Sequence, residues 1–143
     1  MLLMTYNAAF FGAHEAYFLV IKEKYGEAAA LDAMRKVMEL SLGKAYSAMV
    51  FTKGDPHDFA RVVGERDKSV GLLVEFPVIA KEKIVYRFLT DSFPGLKGHV
   101  DAHELDATYM KFKISFLLGN WKYKTTRHLW KGDAFTEHVI EKS

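Results

Sequence analysis

A chain of 143 residues, half of them apolar and 14% aromatic, can bury one real hydrophobic core and is too apolar to be intrinsically disordered. Twenty Lys and Arg against eighteen Asp and Glu leave a formal charge of +2, which provides no electrostatic footprint for nucleic acid or an acidic membrane surface. The absence of cysteine excludes disulfides, thiolate nucleophiles and thiolate metal ligands.

The opening MLLMTYNAAFFGAHEAYFLVIKEK is apolar, but it lacks a basic leading region and carries His14 and Glu15 at its middle. Both features argue against a signal peptide or a membrane span and for a helix of a soluble core. The expectation is a cytoplasmic protein with no membrane partner and no nucleic-acid partner. Phe11, His14, Phe18, Ile21 and Tyr25 recur at steps of three and four, one stripe of an amphipathic helix that Gly26 can end. Leu31, Met34, Met38, Leu42, Ala45 and Met49 repeat the pattern, so the first third of the chain reads as a helical pair.

In TKGDPHDF, Asp55 is an N-cap and Pro56 a first helical residue, which predicts a short third helix over 56–67, a lid or connector by its polar surface. Beyond Gly71 the apolar period drops to two, giving predicted strands 72–79 and 83–90 around the charged turn AKEK. Asp101 and Glu104 spell a capping box for a helix carrying Leu105, Tyr109, Phe112 and Phe116, with Gly119 as its stop. Strands 121–130 and 134–141 follow as a hairpin around Gly132 and Asp133. The sum is a single α+β domain over 1–143: an N-terminal helical pair, a four-stranded, mostly antiparallel sheet and a crossover helix, with the strand order open.

A two-residue loop at Gly132 and Asp133 would place Arg127 opposite His138 and His128 opposite Glu137. One face of the hairpin carries Lys122, Lys124, Thr126, His128 and Glu137; the other carries Trp121, Tyr123, Thr125, Arg127, Thr136, His138 and Ile140. The lysine-free face suits the helices, which turns Arg127, Thr136 and His138 inward with Tyr123 nearby. An inward guanidinium needs a carboxylate, from the protein or from an acidic small molecule. The alternative is that Arg127 snorkels to the sheet edge and His138 is a satisfied, half-exposed histidine. His14, on its apolar seam, offers one further hydrogen bond to a ligand or to the core.

His99, Asp101, His103 and Glu104 are metal-ligand types, but their spacing matches no metal motif and Asp101 is better used as a cap, so no metal is expected. No phosphate loop, dinucleotide fingerprint or nucleophile elbow is present, and no cofactor is expected.

The helical pair around EKYGEAAALDAM and the closing LLGNWKYKTTRHLWKGDAFTEHVI resemble the L-2-amino-thiazoline-4-carboxylic acid hydrolase family and the vinyl-reductase-like small-molecule-binding domains, most strongly over 101–141. The resemblance implies a fold with an internal cavity for a small acidic heterocycle. Where those families place a cysteine after the Gly-Asp turn, this chain has Thr136, so the thiol chemistry is not carried over. Three readings follow. The first is a domain binding an acidic, aromatic or heterocyclic ligand through Arg127, His138, Thr136, Tyr123 and His14; the second is a hydrolase of a small heterocyclic or amide substrate with His138 or His14 as base. The third is an assembly subunit, a homodimer through the N-terminal helix.

Overall fold

The computed structural model describes residues 5–143, so the first four residues of the apolar opening lie outside the described residues. Local signals set the helix ends. The side chain of Asn7 accepts from the Phe10 N–H at 3.0 Å and starts α1 (Ala8–Tyr25). Gly26, at φ 95°, ends that helix and opens α2 (Glu27–Ser47). Asp55 caps α3 (Pro56–Ser69) by accepting from His57 and Asp58, and Asp101 caps α4 (Ala102–Leu117) by accepting from Glu104 at 3.0 Å.

Four strands, β1 (Val74–Ala80), β2 (Lys83–Phe88), β3 (Trp121–Arg127) and β4 (Thr136–Lys142), form one sheet in the order β1-β2-β4-β3. Every neighbouring pair is antiparallel. This is the predicted α+β architecture, with the open strand order now fixed: the last strand in sequence lies inside the sheet. All four helices and all four strands supply side chains to one apolar core. Helix α3 is part of that core, burying Phe59, Val62 and Val63, and is not the lid its polar surface suggests. Tyr25, expected on the buried stripe of α1, is exposed. Among the described residues no helix is long and apolar enough to cross a membrane.

The closing hairpin departs from its expected register. A β-bulge between Thr125 and Arg127 leaves Thr125 opposite His138 and Arg127 opposite Glu137. Thr126 Oγ1 donates to Glu137 Oε1 at 2.6 Å on the outer face. The extra residue reverses the phase of everything after it: Arg127 is exposed and His128 is buried, the opposite of what strict alternation demands. Leu129–Lys131 then form a 3₁₀ turn closed by Gly132 at φ 89°, so the connection is a longer loop, not a two-residue turn.

One glycine takes a position that no other residue could take without moving backbone. At Gly71 (φ 81°) a Cβ would stand 1.8 Å from the Thr5 carbonyl oxygen and 2.5 Å from Tyr6 Cα. Gly71→Ala is expected to lower stability by about 1–3 kcal/mol through backbone strain alone. It should also release residues 5–6, breaking the 2.8 Å bond from Tyr6 Oη to the Ser92 carbonyl. Thermal denaturation with limited proteolysis checks both; an unchanged melting temperature with an intact N-terminus would contradict the packing.

Candidate functional site

Helix α4 turns Leu105, Asp106, Tyr109, Met110, Lys113 and Leu117 to the core. Asp106 and Lys113 are seven residues apart on that stripe, so two opposite charges stand about 10 Å from one another along the helix axis, both buried. Each has a different set of partners.

Around Lys113, α3 supplies Asp67 from its last turn and β2 supplies Tyr86 from the inner face of the sheet. Lys113 Nζ donates to Tyr86 Oη at 2.9 Å and lies 3.4 Å from Asp67 Oδ1, while Tyr86 Oη donates to Asp67 Oδ2. The rings of Tyr86, Phe88 and Tyr109 surround the ammonium at 5.1, 5.3 and 5.2 Å. Burial pushes the lysine pKa down and the Asp67 carboxylate pushes it back up, with burial the larger cause. Burial also raises the Tyr86 phenol, and the adjacent Asp67 charge adds to it.

Around Asp106, Tyr109 Oη donates to Oδ1 at 2.8 Å and His128 Nε2 donates to Oδ2 at 3.0 Å. The other ring nitrogen of His128 accepts from the Trp130 N–H at 3.0 Å. Both nitrogens are therefore engaged, and the imidazole is held in one tautomer. His138 is fully buried, its Nδ1 3.0 Å from Thr125 Oγ1. Its Nε2 has no hydrogen-bond partner among the described residues and lies 3.9 Å from Asp106 Oδ2, beyond hydrogen-bond reach. Burial lowers its pKa from 6.5 to about 4, so the ring is neutral and this contact is no ion pair at neutral pH.

Two cavities touch these clusters. The smaller, ≈ 20 Å³, reaches Asp106, His128 and Thr136. The larger, ≈ 40 Å³, has Asp67 and Lys113 in its wall together with Phe10, Phe11, Leu42 and Arg66. Phe88, Ser92, Phe93 and Tyr109 line both and divide them. Arg66 is half-buried over the Phe10 ring, with its guanidinium on the hydroxyls of Ser41 and Ser69. No carboxylate of the described residues lies within 4.0 Å of it, nor of the exposed Arg127, whereas Arg61 has one and Arg35 and Arg87 have two each.

The structure does not gather the five predicted site residues. Thr136 lines the smaller cavity and accepts from the Leu129 N–H at 3.1 Å. Tyr123 meets His138 edge to face at 5.6 Å, and burial raises its phenol to about 12. His14 bonds through Nδ1 to the Phe10 carbonyl at 2.7 Å and borders a separate apolar groove between α1 and α2. Arg127 is a correction: the bulge carries its guanidinium to the outer face, 5.9 Å from the Phe135 ring. On that face Arg87 is bound by Glu137 at 2.6 Å and Glu75 at 3.3 Å. The apolar surface where a homodimer through α1 would form carries Tyr17, Val20 and Tyr25, all exposed. Among the described residues no group of His, Asp and Glu is placed to hold a metal ion.

Asp67, Tyr86, Asp106, Lys113, His128 and Arg66 are absent from the sequence-based site. For α4 a signal exists: Asp106 and Lys113 both fall on the stripe through Leu105 and Tyr109, one charge of each sign on an apolar face. Asp67 likewise falls four residues beyond Val63 on the buried face of α3. Comparison of the chain with protein-family models and with curated proteins finds no match.

Proposed function

We propose that the protein binds a small carboxylate in the cavity between Lys113 and Arg66. The observation that carries this reading is a pair of cationic side chains in the wall of one cavity, of which only Lys113 has a carboxylate partner. A carboxylate at Arg66 completes the charge balance, and the planar guanidinium suits two parallel hydrogen bonds to it. Arg66 takes in this reading the part that the sequence pattern gives to Arg127. At ≈ 40 Å³ the cavity has room for about three waters, so it limits the buried part of the ligand to a carboxylate and little more. A larger ring would have to extend past Phe10 and Arg66 or move them.

The likeness to the thiazoline-carboxylate hydrolases enters through the acid, not through hydrolysis. The position of the family's cysteine holds Thr136, whose Oγ1 is engaged by backbone, and His138 is sealed in the core. A buried ion pair contributes little to stability compared with apolar side chains of the same volume, so the Lys113–Asp67 pair in a cavity wall supports a binding role more than a stabilising one.

Small carboxylates should raise the melting temperature, by the equivalent of about 2.7 kcal/mol at a hundredfold excess over Kd, while their amides should not. Arg66→Gln should abolish the rise and Arg127→Ala should leave it unchanged. A rise that survives Arg66→Gln and disappears with Arg127→Ala would place the acid on the outer face and end this reading.

A further inference from the structure

We propose that Lys113 captures the carbonyl carbon of a small oxo acid as an imine, with the acid's carboxylate held by Arg66. The inference rests on the carboxylate-binding reading above and names the second functional group of the ligand. The larger cavity has a primary amine in its wall that is itself only 4% exposed, and a guanidinium without a carboxylate partner. A carboxylate alone would engage Arg66. A carbonyl is the group with which the amine, already paired with Asp67 and Tyr86, can react across the same cavity.

The chemistry fits the cluster atom by atom. Lys113 Nζ donates to Tyr86 Oη at 2.9 Å, and Tyr86 Oη donates to Asp67, so a proton leaving the ammonium has a two-bond path to a carboxylate. The free amine adds to the carbonyl carbon and the oxygen takes a proton to give a carbinolamine. That hydroxyl leaves as water, the proton returns along the same path, and an iminium remains. In sum an ammonium and a carbonyl give an iminium and one water, with no oxidant or reductant. Charge is conserved, so the iminium inherits both the Asp67 partner and the box of Tyr86, Phe88 and Tyr109 rings that holds the ammonium. Burial, which lowers the pKa of Lys113, favours the free amine that the addition needs.

The test is reductive trapping of the intact protein with pyruvate and cyanoborohydride, read by intact mass and peptide mapping. The expected product is one adduct on Lys113, adding the mass of the acid less one oxygen, formed ahead of adducts on every other lysine. Lactate, which keeps the carboxylate and lacks the carbonyl, should suppress it by competition. Acetone, which keeps the carbonyl and lacks the carboxylate, should label at least about tenfold less, the least that losing the charged hydrogen bonds to Arg66 would cost. Arg66→Gln should bring pyruvate down to the acetone level. Thermal stabilisation by both acids without an adduct on Lys113 overturns the imine and leaves carboxylate binding standing. Adducts spread over surface lysines with no preference for Lys113 also overturn it. Neither stabilisation nor adduct removes both readings together.

Discussion

Lys113→Met is expected to lower the stability of the fold by about 3–5 kcal/mol, because it strips a buried carboxylate of its cationic partner. Asp67 is 3% exposed and would keep only the Tyr86 hydroxyl as donor. The sign of the effect should reverse when the whole cluster is made apolar. In Lys113→Met/Asp67→Leu/Tyr86→Phe no charge or hydroxyl is left without a partner, and volume is roughly kept, so stability should return to near that of the parent protein or above it. Denaturant unfolding of the three proteins decides the matter. A single substitution that costs less than about 1 kcal/mol would mean that Lys113 and Asp67 do not share a dry environment. The triple variant keeps Arg66 in the cavity wall and should still bind a small carboxylate while forming no adduct with pyruvate, which separates the cost of the cluster from its use.

Stability should fall by about 3 kcal/mol as the pH is lowered from 7.5 to 4, on account of His138 alone. Its imidazole takes a proton at about 4 in the folded protein and near 6.5 when unfolded. Between those values the unfolded chain holds one more proton, so acid favours unfolding throughout the window and has no further effect through this residue below it. The cause is burial: the neighbouring Asp106 charge pulls the other way but stands 3.9 Å off, and the Lys113 ammonium adds repulsion. His138→Asn keeps a polar group near Thr125 and removes the titration, so its unfolding free energy should vary less with pH by that amount. Parallel curves for the two proteins between pH 7 and 4 would show that His138 ionises as freely folded as unfolded.

What could be read from the sequence divides by range. Asp55 with Pro56, Asp101 with Glu104, and the glycines 26 and 119 act within a few residues of themselves, and the helices they bound are where the pattern puts them. The α+β class follows from the change of apolar period after Gly71. The bulge does not follow, because it is fixed by Thr126, Glu137 and Arg87 meeting across three strands, and Arg87 is 50 residues from Glu137. One displaced residue was enough to exchange the fates of Arg127 and His128. The central cluster is only half legible: the helical period puts Asp67 and Lys113 on buried stripes, but that they pair there depends on a meeting across 46 residues that no local pattern announces. His138 and Thr136 are buried as alternation requires, since they precede no irregularity on their own strand.

The place of β4 bears on how the chain is made. It pairs with β2 on one side and β3 on the other, yet it is the last of the four strands to be synthesised. Until residues 136–142 emerge, the two outer parts of the sheet have no common neighbour, and the His138 side of the core stays open. Helices α1 and α2 can pair during synthesis; the sheet has to wait for its keystone, and a nascent chain stalled before that point would present the open β2 edge of one ribbon and an unpaired β3 to any holdase within reach.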